Sequence, residues 1–262
     1  MGWVLRHNMS NLRLIARLDI KAPNLIKTIR LEGLRKLGTP TDFARRYYRQ
    51  NIDEIVYIDA VASLYERNTI TDLVSETARN VFIPITVGGG VRSVEDARSL
   101  LRAGADKIAI NTAATKRPEL IREMAEMFGA QCMVLSVHAK SRPQGGWEAY
   151  SDMGREHTNR DVVEWVSEAE ALGAGEILLT SVDREGTASG FDLDLITAVT
   201  RATKIPVIAS GGAGTFEDIR DAHEKSGADA VALAYMLHYE KVQLEALRER
   251  ALDAGLPVRK IA

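Results

Sequence analysis

The chain has 262 residues, 45% of them hydrophobic and 27% charged, with 34 Lys+Arg against 36 Asp+Glu and a formal net charge of -2. That balance offers no basic footprint for nucleic acid and no acidic solvating block, and no apolar run nears the roughly 18 residues of a membrane-spanning helix. The single cysteine, Cys132, forms neither an internal disulfide nor a zinc site by itself, which suits a reducing cytoplasm.

At the amino terminus, MGWVLRHNMSN lacks the long apolar core of a secretory signal. Met9 is an alternative start, and residues 1–10 read as an extension. Beyond it, short runs rich in Val, Ile and Leu alternate with amphipathic stretches. The strand-like runs are Leu12–Ile20, Ile55–Ala60, Ile85–Gly88, Lys107–Asn111, Cys132–His138, Ile177–Ser181, Val207–Ser210 and Ala230–Ala234. Their nearly continuous apolar character is that of strands buried on both faces. Thr41–Gln50, Val94–Ala103, Glu119–Phe128, Asp161–Leu172 and Phe216–Ser226 read as helices. Ser93 with Asp96 and Thr215 with Asp218 have capping-box spacing, and Gly104 and Gly227 close those helices. Eight such units without a Pro/Ser-rich linker predict one α/β domain over residues 1–262, a single (β/α)8 TIM barrel; an open doubly wound sheet is the competing architecture.

Internal repetition favours the barrel. Ile83-Pro84-Ile85-Thr86-Val87-Gly88-Gly89-Gly90 matches Ile205-Pro206-Val207-Ile208-Ala209-Ser210-Gly211-Gly212 at an offset of 122, as Glu54-Ile55-Val56 matches Glu176-Ile177-Leu178. Gly104-Ala105-Asp106 recurs as Gly227-Ala228-Asp229 at 123, and Leu18-Asp19-Ile20-Lys21 resembles Val137-His138-Ala139-Lys140 at 119. These offsets predict two repeated half-barrels, about 12–128 and 129–254, closed into one core.

Three constellations carry chemistry. Gly88-Gly89-Gly90 and Gly211-Gly212 follow the third and seventh runs, where glycine lets backbone amides approach an anion. Asn111 and Thr112 after the fourth run and Ala234 and Tyr235 after the eighth lie beside them, so each pair predicts a phosphate site and the two together an elongated substrate phosphorylated at both ends. Thr180 and Ser210, at the ends of the sixth and seventh runs, join the substrate-binding set. Tight turns alone would also account for the glycines. Second, Asp19 and His138 are counterparts in the repeat and should face each other across the mouth as general base and acid; a structural Asp and a core His are the plainer alternatives. Lys21 or Lys27 would be the counter-charge of a buried Asp19, with Asp59 and Asp183 as secondary candidates. Third, Arg13, Glu54, Lys107 and Glu176 open strands at the opposite end, where two positive and two negative groups either form a salt-bridged ring or simply edge the barrel bottom. No metal-ligand spacing such as His-Glu-x-x-His occurs, and no cofactor is expected. Cys132 and Trp165 read as packing, and Trp147 as part of a loop over the mouth.

LDIK at 18–21, TVGGGVRSVEDA at 86–97, GADKIAINTAA at 104–114, GAGEILLTSVDREGT at 173–187 and IASGGAG at 208–214 resemble the cyclase (HisF) subunit family of imidazole glycerol phosphate synthase. The resemblance runs from about Leu12 to Arg259. It implies a glutaminase (HisH-like) partner on the amino-terminal face of the barrel, ammonia passing through the core, and attack on a phosphorylated substrate at the mouth. It further implies that Arg13, Glu54, Lys107 and Glu176 are the ammonia gate, that Asp19 is the first catalytic aspartate, and that Lys27 is the lysine of a flexible loop.

Three positions depart from the family. His138 stands in place of the second catalytic aspartate, Tyr235 in place of a serine at the strand-eight phosphate site, and Lys21-Ala22-Pro23-Asn24 where Lys-Asp-Gly-Arg is usual. All lie on the chemical face, whereas the gate matches throughout. The reading put first is therefore a divergent paralogue that uses ammonia on, or relays it to, a phosphorylated or sugar acceptor, as in surface-polysaccharide pathways. The alternatives are an authentic cyclase of histidine biosynthesis and a noncatalytic scaffold that activates a glutaminase.

Overall fold

The computed structural model describes residues 11–62 and 70–261; the expected extension at residues 1–10 lies outside them. Twelve strands are formed among the described residues, numbered here in chain order: β1 (Arg13–Lys21), β2 (Asn24–Ile29), β3 (Glu32–Gly38), β4 (Glu54–Asp59), β5 (Ile85–Gly88), β6 (Lys107–Ile110), β7 (Met133–Ser141), β8 (Trp147–Ser151), β9 (Glu156–Asp161), β10 (Glu176–Ser181), β11 (Val207–Ser210) and β12 (Ala230–Leu233). Eight of them pair in parallel in the order β1-β4-β5-β6-β7-β10-β11-β12, and β12 returns to β1 with Arg13 opposite Ala230. This is a closed (β/α)8 barrel.

Side chains on each strand alternate between two surroundings, as the pleat requires. One set, including Leu14, Ala16, Leu18, Ile55, Tyr57 and Val87, packs against the surrounding helices. The other fills the lumen, where Ile15, Val56, Ala109, Val134, Leu178 and Ile208 form a second apolar cluster. Burial on both faces explains the continuous apolar runs.

The helices start where the sequence supplies caps. Ser93 Oγ accepts the Asp96 amide at 3.1 Å, but the Asp96 carboxylate accepts from the Arg92 amide, so only half of the expected box forms. At Thr215 both halves form, and Asp218 takes the Thr215 amide at 2.8 Å. Gly104 and Gly227 follow their helices at φ 111° and 74°.

The appended hairpins differ from the sequence reading. β1 and β7 are nine residues long, and each continues past the barrel into an antiparallel excursion, β2–β3 from β1 and β8–β9 from β7. The segment around Trp147 is thus the strand β8, not a free loop, and Trp147 Nε1 donates to Asp192 at 3.1 Å. Lys27 also sits on a strand, β2. Cys132 ends a short 3-10 turn just before β7 and is only half-buried, whereas Trp165 is fully buried in the helix Val162–Ala171.

Candidate active site

At the amino-terminal end of the strands, Arg13 on β1, Glu54 on β4, Lys107 on β6 and Glu176 on β10 face the lumen. Arg13 reaches Glu54 at 2.7 Å and Glu176 at 2.5 Å, while Lys107 reaches the same two carboxylates at 3.2 and 2.9 Å. The four side chains form a closed ring of alternating sign, with both glutamates buried. Burial would lower the Arg13 pKa, but Glu176 and Glu54 outweigh it, so the guanidinium is held charged. Above the ring, the lumen is apolar apart from the buried Thr86 on β5 until the strands near their carboxyl ends.

There the polar groups begin. Two residues apart on β1, Arg17 and Asp19 turn to the same face and form an ion pair at 3.0 Å with both side chains buried. Arg17 Nη1 also crosses to Thr180 on β10 at 2.8 Å and to Ser210 on β11 at 2.9 Å. Its Nη2 has no hydrogen-bond partner. Burial would raise the Asp19 carboxyl, but Arg17, aided by Lys27, holds it below the usual carboxylate range. Arg17 is the main site residue that the sequence reading missed. Its signal was present: a full charge inside an apolar strand, in phase with Asp19.

His138 lies on β7 where the strand leaves the barrel to pair with β8, on the opposite side of the mouth, and is buried. Burial pushes its imidazole down to about 3, nearby Arg17 adding to the effect and Asp19 opposing it. It is therefore neutral at physiological pH rather than titrating there, and its Nδ1 has no hydrogen-bond partner.

The two glycine turns differ in their surroundings. Gly89 has φ 92°, and a Cβ there would collide with the Asp59 carbonyl oxygen; Gly212, at φ 113°, would collide with the Gly190 carbonyl. A cavity of about 330 Å³ opens over the first turn, walled by Gly89, Gly90, Asn111, Thr112, Ser136 and His138. Asn111 spends both amide hydrogens on the Ser136 and Tyr150 carbonyls at 2.9 and 3.1 Å, and Thr112 Oγ1 accepts the Asp152 amide at 3.0 Å, tying the β8–β9 hairpin to the mouth. Over the second turn, Arg17, Ser210, Gly211, Gly212, Ala234 and Tyr235 line a cleft of about 10 Å³, and Lys27, Gly186 and Tyr235 belong both to it and to a neighbouring groove of about 700 Å³. Lys27 closes that end by a buried ion pair with Glu185, and it also donates to the Thr28 carbonyl at 3.0 Å.

The secondary candidates have structural partners. Asp59 caps the following turn through the Val61 and Ala62 amides, both at 3.0 Å, and Asp183 accepts from the Ser141 amide and hydroxyl, both at 2.9 Å. Among the described residues, no group of three or more His, Cys, Asp or Glu side chains is placed to hold a metal ion. No helix among them is long and apolar enough to cross a membrane.

The family model described as "Histidine biosynthesis protein" matches residues 13–243. The chain belongs to the HisF family. It is 61% identical over 210 residues to the imidazole glycerol phosphate synthase subunit HisF of Legionella pneumophila, a match covering 80% of this chain and 99% of that one. The HisF subunits of Streptococcus sanguinis (strain SK36) and Streptococcus gordonii (strain Challis) are 45% and 44% identical over 247 residues, which cover 94% of this chain and 98% of each relative. With these HisF relatives in view, the four-charge ring and Asp19 acquire a shared context: they lie at opposite ends of one apolar lumen.

Proposed function

We propose that this chain is the ammonia-using synthase subunit of a two-subunit enzyme of the imidazole glycerol phosphate synthase type. A glutaminase subunit would dock at the amino-terminal face, and the Arg13–Glu54–Lys107–Glu176 ring would gate the entry of ammonia. The observation carrying this reading is the closed ring opening into an apolar lumen that ends at Asp19. Such a lumen accepts a neutral amine far more readily than ammonium, because burying an unpaired charge is costly. At the mouth, ammonia would attack a carbonyl carbon of the acceptor, the C=O π pair moving onto the oxygen, and the nitrogen gains positive charge as the C–N bond forms. Asp19, held ionised by Arg17 and Lys27, would stabilise that charge and receive a proton from it.

The relatives are all named as HisF subunits, so formation of imidazole glycerol phosphate ranks ahead of the divergent-acceptor reading as the reaction proposed. The test supplies the two-phosphate cyclase substrate with ammonium chloride and follows imidazole glycerol phosphate. Turnover is expected, with a loss of about 100- to 10,000-fold in Asp19→Asn. No turnover at any ammonium concentration would overturn the cyclase assignment.

A second reading, a different phosphorylated or sugar acceptor, is favoured by one specific observation. Where a second acid is expected the mouth holds a neutral His138, and a buried Arg17 already occupies the partner face of Asp19.

A further inference from the structure

A substrate with a phosphate at each end needs two anion seats at the mouth. Over β5 and β6 the cavity of about 330 Å³ offers one, lined by the Gly89–Gly90 turn with Arg92 and Lys116. At the other end the cleft over the Gly211–Gly212 turn does not stand alone, since Lys27, Gly186 and Tyr235 line both it and the groove of about 700 Å³. The β2–β3 hairpin brings Lys27, Glu32 and Arg35 to that groove, and the stretch after β12 brings Tyr235, Tyr239 and Lys241. Among the described residues, three cations thus line it against one carboxylate. Lys27 is neutralised by Glu185 in a buried pair. Arg35 and Lys241 are exposed, and neither has an ion-pair or hydrogen-bond partner among the described residues. Arg17, which lines the cleft, keeps a buried Nη2 without a partner. Cations gathered in one hollow favour an anion, and a phosphate accepts charge-assisted hydrogen bonds from guanidinium and ammonium alike. Tyr235 marks the border between cleft and groove. Its ring, packed against Tyr239 with centroids 5.2 Å apart, takes more space there than a serine hydroxyl would.

We propose that the phosphate at this end of the substrate is seated in the groove, outside the Gly211–Gly212 turn, and that Arg35 and Lys241 are its ligands. The inference rests on the cyclase reading above, with its two-phosphate substrate. Tyr235 is the wall that turns this end of the substrate outward, and the Arg17 guanidinium gives the deep side a fixed positive charge.

The experiment uses the full chain and the two-phosphate cyclase substrate, titrated calorimetrically at fixed ionic strength and without ammonia, so that no turnover intervenes. Arg35→Ala/Lys241→Ala, which alters exposed side chains and should fold normally, is expected to weaken the affinity at least about tenfold. Arg35→Lys/Lys241→Arg, which keeps both charges, should recover most of that loss. As a control, Arg122→Ala/Lys204→Ala removes the same charge from exposed positions on the helix Glu119–Phe128 and just before β11, and should leave the affinity within about twofold. A loss in the groove variant no larger than in the control would overturn the proposal. The turnover assay with ammonium chloride reads the cyclase assignment separately, so that result would leave it standing. A chain that neither binds nor turns over the substrate would overturn the cyclase reading, and the proposal with it.

Discussion

Arg17 and Asp19 form a buried ion pair at 3.0 Å inside the barrel, two residues apart on one strand and directed to one face. The pair joins three parts of the mouth, since Arg17 also holds Thr180 and Ser210. Removing the cation alone leaves a carboxylate without its principal partner in a dry site. Arg17→Met, similar in length, is therefore expected to cost about 3–5 kcal/mol of unfolding free energy. Urea denaturation would measure it, and a loss below about 1 kcal/mol would show that the pair contributes little to the fold.

Two buried imidazoles set the acid side of the stability profile. Burial lowers His138 and His238 each to about 3 from the ordinary 6.5, and His238 Nδ1 meets the Tyr47 hydroxyl at 2.6 Å. In the unfolded chain both take up a proton near 6.5, while the folded chain resists until about 3. The unfolded state thus binds more protons throughout that window, so stability falls as pH falls from 6.5 towards 3, by up to about 1.4 kcal/mol per pH unit for each group. The double variant His138→Gln/His238→Gln should flatten this slope in denaturation measured at several pH values. An unchanged slope would assign the acid sensitivity to carboxylates.

Lys107 bridges Glu54 and Glu176 from the opposite side to Arg13. Lys107→Ala opens the ring without touching the mouth. With a cognate glutaminase present, the expected outcome is a changed ratio of glutamine-driven to ammonium-driven product, the ammonium-driven rate being preserved. An unaltered ratio would take the gate role away from the ring.

Gly89 is placed by geometry rather than by flexibility. Its φ of 92° and the Asp59 carbonyl beside its Cα leave no space for a side chain. Gly89→Ala is expected to lower stability by at least about 1 kcal/mol, seen as a fall in the thermal midpoint. A neutral effect would mean that the turn shifts easily, and the floor of the β5–β6 cavity with it.

The barrel was legible in the sequence because strands buried on both faces cannot hide: runs such as Ile55–Ala60 and Ile177–Ser181 are mostly apolar. The charge ring was legible as four charges at strand starts, although spacing alone left it weighed against a solvated edge. The hairpins were not. Asn24–Ile29 and Trp147–Ser151 gain their strand character from continuing the antiparallel pairing of β1 and β7, a tertiary effect that local pattern does not encode. His138 was found, but its neutral state depends on how much protein encloses it, which no motif reports. Arg17 went unremarked because a charge in a strand is ordinarily read as facing solvent. Only closure of the sheet fixes it inside.

That closure has a further consequence. A parallel sheet rolled on itself has no free border, so among the described residues the strand borders unpaired within the sheet belong to the excursions, at β3 and β9. Both carry charge: β3 has Glu32, Arg35 and Lys36 beside an exposed Leu34, and β9 has Glu156, His157, Arg160 and Asp161. An incoming chain seeking to add itself to the sheet meets a row of charge at either opening. The two hairpins that frame the mouth are also where this fold guards itself against self-association.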